Sequence, residues 1–175
     1  RSLTTAEFET YLQANLLGKF PLKTPAVPVM AWIHSSGLPE KIPNPVSNAF
    51  AQVEATLAPW LQGKLPAWSL ATRTWSTQEW LHALSHLPTD LSLDKMGEFD
   101  TAFKLTRIEN AEIAHAWLRL VIQKRYQPGY GRLESYLVGI GRRKLILPLY
   151  DELKKTGQLE FARSAYGKAR TGYNP

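Results

Sequence analysis

From residue 46 onward, apolar side chains recur every three or four positions, segment after segment, and never alternate in twos between hairpin turns. Such a pattern buries its apolar faces only as helix against helix, so the fold class is all-α. Start signals support this. Thr4 with Glu7 and Ser76 with Glu79 are spaced as capping boxes, and the pairs Leu3/Phe8 and Trp75/Trp80 flank them as hydrophobic staples. The first helix carries Phe8, Tyr11, Leu12 and Leu16 and should end near Gly18. Asn44 followed by Pro45 predicts a helix start, with Val46, Ala49, Phe50, Val53, Leu57 and Leu61 as its stripe. Ser92 opens a short helix with Met96, Phe99 and Phe103 inward. Residues 110–126 are apolar around most of the circumference, which predicts a central, deeply packed helix. Further helices carry Leu133, Tyr136, Leu137 and Ile140; then Leu149 and Leu153, ending at Gly157; then Ala162, Ala165, Tyr166 and Ala169, running to about Tyr173.

Many short helices in series predict a right-handed, superhelix-like stack of antiparallel pairs, an armadillo- or HEAT-like solenoid, with irregular pairs because no repeat shows in the sequence. Residues 21–45 hold six of the twelve prolines and read as an extended connector. A domain boundary is therefore expected near residue 30. Residues 1–30 are assigned to the end of another domain plus a linker, and residues 31–175 to a helical domain.

Composition narrows the chemistry. There is no cysteine, which removes disulfides, thiolate catalysis and cysteine-based zinc sites. No apolar run approaches the roughly 20 residues of a membrane span, and the opening Arg1-Ser2-Leu3-Thr4 has no signal-peptide character. Residues 1–100 hold 7 Lys and Arg against 9 Asp and Glu, and residues 101–175 hold 14 against 6. The later part thus carries the entire positive charge and invites an anionic partner: nucleic acid, acidic lipid or a carboxylate.

His82 and His86 are spaced like two zinc ligands on one helical face, but Ala83 stands where a zincin has its Glu. Glu79 offers a third ligand and nothing offers a fourth, so no metal site is expected, and His34 and His115 are read as structural. Gly139-Ile140-Gly141 lacks the third glycine and preceding strand of a nucleotide loop. No Gly-x-Ser-x-Gly elbow is present, so no catalytic residue is assigned. The strongest polar feature is Gly141-Arg142-Arg143-Lys144, just ahead of Leu145-Ile146-Leu147-Pro148. A helix starting here brings free amides and three cations together, an arrangement suited to a carboxylate or phosphate. The alternative is a basic turn paired with Asp151 or Glu152.

Leu105-Thr106-Arg107-Ile108-Glu109-Asn110-Ala111-Glu112-Ile113, Trp117-Leu118-Arg119-Leu120, Gly141-Arg142-Arg143-Lys144 with Pro148-Leu149-Tyr150, and the ending Arg170-Thr171-Gly172-Tyr173-Asn174-Pro175 closely resemble the C-terminal domain of the leukotriene A-4 hydrolase family. Trp32 with Gly37-Leu38-Pro39 matches the usual start of that domain, and Asn174 departs from the family's frequent His. The resemblance implies a zinc aminopeptidase with an N-terminal β domain, a thermolysin-like catalytic domain and this helical domain. Some members also hydrolyse an epoxide. The His-Glu-x-x-His and Gly-x-Met-Glu-Asn motifs are not in this sequence, so the implied zinc belongs to the catalytic domain, with no cofactor in this chain and no catalysis by it alone. By the family's Gly-Arg-x-Lys motif, Arg142 and Lys144 bind the substrate carboxylate, and Arg143 matches no family role. The implied partners are the catalytic domain of the same polypeptide and a peptide's carboxylate, with neither nucleic acid nor membrane. The competing reading, from charge alone, is a basic helical-repeat module that holds nucleic acid or an acidic protein.

Overall fold

The computed structural model describes residues 2–20, 28–38 and 46–173. All regular elements among them are helical. The chain forms two compact units, Arg1–Val46 and Ser47–Pro175.

The first unit holds α1 (Thr5–Leu12), prolonged by a wider turn over Gln13–Leu17, and α2 (Val29–His34). The Thr4/Glu7 capping box forms in full. His34 Nε2 meets Glu9 Oε1 at 2.5 Å, tying α2 to α1. Residue 30 lies inside α2, within this first unit. The connector expected over 21–45 likewise contains a helix; Pro21, Pro25, Pro39, Pro43, Asn44 and Pro45 lie outside the described residues. No residue of α1 or α2 is buried, so the stripe of Phe8, Tyr11 and Leu16 is exposed.

The second unit begins with α3 (Ala49–Leu61), three residues beyond the exposed Val46. Ser47 Oγ accepts the Ala49 amide, a local turn that competes with an earlier helical start. Val53, Leu57 and Trp60 form its buried face. Then follow α4 (Thr77–Ser85), α5 (Leu93–Phe103), α6 (Ala111–Lys124), α7 (Tyr130–Gly139), α8 (Arg143–Lys155) and α9 (Leu159–Ala169). The caps at Ser76, Ser92 and Asn110 accept the amides their spacing predicts, and Trp75 meets Trp80 edge to face at 5.0 Å.

Cross-contacts give the order of stacking. Trp80, early in α4, meets Phe103 at the end of α5. Tyr136, late in α7, donates to the Ala111 carbonyl at the start of α6. Tyr150 of α8 meets Tyr166 late in α9. Consecutive helices thus form antiparallel pairs. In the layer they share, α4, α6 and α8 run side by side in one direction: Asn110 bonds Thr77 start to start, and Glu112, His115 and Arg119 of α6 meet Arg142, Leu145 and Glu152 of α8 in step. The stack of antiparallel pairs is therefore present.

α6 lies at the centre, with Ile113, Ala114, Trp117, Leu118, Val121 and Ile122 buried. Gly129 lets the next turn approach it; a Cβ there would fall 2.5 Å from Val121 Cγ2. Gly157 closes the α8–α9 turn at φ +75. The last helix stops at Ala169, short of Tyr173, and Tyr166 is exposed instead of buried.

Candidate functional site

The basic cluster sits where its residues predict, at the start of α8. Arg142 is the N-cap residue, and its carbonyl accepts the amides of Leu145 (2.9 Å) and Ile146 (3.2 Å). No side chain caps this end. The amides of Arg143 and Lys144 therefore stand outside the helix's own ladder. Pro148 falls in the second turn, not the first, and lacks the N–H that would close on the Lys144 carbonyl. Leu145 and Ile146 are buried and anchor the turn, while Gly141, Arg142, Arg143 and Lys144 are all exposed.

Among the described residues, one carboxylate pairs with the cluster. Glu112, in the first turn of α6, lies 3.5 Å from the Arg142 guanidinium, and the Arg142 side chain keeps 64% of its surface in solvent. An exposed pair at this distance is weak, about 0–1 kcal/mol, so Arg142 can exchange Glu112 for another anion at small cost. The alternative partners fall elsewhere: Glu152 is buried against Arg119 Nε at 3.2 Å. Sequence reading missed Glu112 as a neighbour because 30 positions separate it from Arg142; its place in a first helical turn, two after the Asn110 cap, was the available signal.

His115 lies behind the cluster, its Nδ1 2.7 Å from the Leu145 carbonyl. A carbonyl accepts, so Nδ1 carries the proton. Burial pushes this imidazole below its ordinary value, the Leu145 carbonyl opposes that, and Arg119 and Lys144 push it further down. His115 thus stays neutral and adds no repulsion beside the cations. On the other side of α6, burial raises the Tyr136 phenol to about 12, keeping it a donor to Ala111. The exposed face is cationic and its backing neutral, a geometry able to receive a carboxylate.

His82 of α4 and His86, the residue that ends it, come together with ring centroids 3.9 Å apart. Glu79 is not beside them as a ligand; both its roles are in the Ser76 cap. Glu54 of α3 takes that place, 2.7 Å from His82 Nε2.

Residues 75–175 match the family described as leukotriene A4 hydrolase, C-terminal. The chain belongs to that family. Among curated proteins it is similar to aminopeptidase B of Mus musculus, 26% identical over 144 residues, which covers 76% of this chain and 21% of that protein. Among solved structures it is similar to yeast LTA4 hydrolase in complex with bestatin, with a TM-score of 0.58 at 16% identity over 100% of this chain and 32% of that one. The likeness places the fold within the family's all-helical domain. The chain thus spans about a third or less of the length of these relatives. The family match takes in the basic turn and all of α6 to α9, the elements that position Arg142 and Lys144.

Proposed function

We propose that this chain is the C-terminal helical domain of a zinc-dependent aminopeptidase, where it bounds the substrate cleft and holds the substrate's carboxylate with Arg142 and Lys144. The observation that carries the reading is the exposed start of α8, with Arg142 paired among the described residues to the solvent-screened Glu112. A guanidinium fork suits a planar carboxylate bidentately, and Lys144 adds a point charge two residues on. Fixing the far end of a peptide converts binding into alignment of its scissile bond.

The family's zinc does not fit the residues of this chain as a catalytic centre. None of His34, His82, His86 or His115 is followed by Glu, so no His-Glu-x-x-His motif exists here. Hydrolysis is assigned to a catalytic domain of the same polypeptide, and the isolated chain is expected to be inactive. The exposed stripe of α1 supports the companion proposal that residues 1–30 are the end of that catalytic domain.

The test is Arg142→Ala in the full-length enzyme. A hydrogen bond to a charged group contributes about 1.5–3 kcal/mol, so kcat/KM on short peptides should fall roughly 10- to 150-fold. The melting temperature should stay within about 1 °C, because the lost ion pair is exposed. Arg142→Lys should recover only part of the loss, since it keeps the charge and loses the fork. Unchanged kinetics in the Ala variant would remove the assigned role.

A further inference from the structure

We propose that Glu54, His82 and His86 form a binding site for a zinc-type divalent cation that ties α3 to α4. Sequence spacing offered two histidines without a usable third ligand, because Glu79 serves the Ser76 cap. The fold supplies the third from a different helix. Glu54 Oε1 lies 2.7 Å from His82 Nε2, and one ligand atom from each of the three side chains lies within 4.8 Å of the others. Tetrahedral coordination at about 2.0–2.1 Å places donor atoms roughly 3.4 Å apart. His82 and Glu54 already stand closer than that, and the exposed His86 side chain lies within reach of both.

The surroundings orient the two imidazoles as ligands. His86 Nδ1 is 2.9 Å from the His82 carbonyl, which makes Nδ1 the protonated nitrogen and leaves the Nε2 lone pair free. A backbone carbonyl on the distal N–H is the usual support for a metal-bound histidine. His82 is held by the Phe50 ring, stacked at 4.2 Å and 3°. On binding, His82 takes its Nδ1–H tautomer, so that the Nε2 lone pair and the Glu54 carboxylate both face the metal that displaces their hydrogen bond. Two imidazoles and one carboxylate select zinc and its neighbours over calcium or magnesium, with an open position for water.

The proposal is tested by titrating the 175-residue chain with Zn2+ in a calorimeter and with Co2+ by visible absorption. One equivalent should bind, Co2+ should show tetrahedral d–d bands, and saturating Zn2+ should raise the melting temperature. His86→Ala and Glu54→Gln, both at exposed positions, should each weaken binding at least about 10-fold while unfolding cooperatively without metal. His34→Ala, which breaks the other His–Glu pair, should bind like the parent. Absence of saturable binding, or binding that survives either His86→Ala or Glu54→Gln, overturns the site.

Discussion

Glu98 links three separate pieces of backbone through one carboxylate. It accepts the Trp60 indole N–H at 2.9 Å and the Ala67 amide at 2.7 Å. Burial pushes its acidity down, but these donors and Lys95 outweigh that and hold its pKa below the ordinary value. His115 is also lowered, for the opposite charge type: burial favours its neutral form. Both groups bind protons more readily in the unfolded chain, so both contribute stability at neutral pH that is lost on acidification. His115 begins to lose its share as pH falls below its unfolded value of 6.5, and Glu98 below 4.5. The melting temperature should therefore drop as pH falls from about 7 to below 4.5, and Glu98→Gln should flatten the part below 4.5 while costing about 1 kcal/mol at neutral pH. An unaltered slope in the Gln variant would put the acid sensitivity elsewhere. None of these partners shows in the sequence, because Glu98 and Trp60 are 38 positions apart. Asp100 is alike: it accepts from Thr106 and Tyr126, and Thr106 in turn accepts the Trp117 indole. Polar residues near a core have no periodic signature; only the packed chain reveals which donors they meet.

Helix starts were legible and helix ends less so. Ser, Thr and Asn at a cap announce themselves because the same side chain that stops the preceding segment satisfies the first free amides. Two ends carry no such mark. α5 and α6 stop at Lys104 (φ 54) and Arg125 (φ 52), left-handed residues that are not glycine. Placing a Cβ in that region costs about 1–2 kcal/mol. Lys104→Gly should therefore stabilise the chain by about 0.5–1 kcal/mol, read as an upward shift of the urea midpoint with the m-value unchanged. A lower midpoint would mean that the Lys104 side chain contributes more than its backbone strain costs. Pro148 stands deeper than a first turn: α8 starts at Arg143, beside the basic cluster as expected, and buried Leu145, Ile146, Leu149 and Leu153 favour continuing the helix through the missing hydrogen bond.

The buried cluster runs from Val53 to Ala165 and includes no described residue of the first unit. A chain beginning at Ser47 should therefore unfold in one cooperative transition, with near-ultraviolet circular dichroism and a melting temperature close to those of the 175-residue chain. Loss of the near-ultraviolet signal on that truncation would show that residues 1–46 contribute to the packing. The all-helical class, the central place of residues 110–126, most caps and the location of the basic turn followed from sequence alone, because periodicity and capping act between residues a few positions apart. Which helices lie side by side, and therefore that Glu112 reaches Arg142 and Glu54 reaches His82, came only with the tertiary structure. Those meetings join positions about 30 residues apart, and the free energy that brings them together belongs to the apolar faces between the helices rather than to the polar residues themselves.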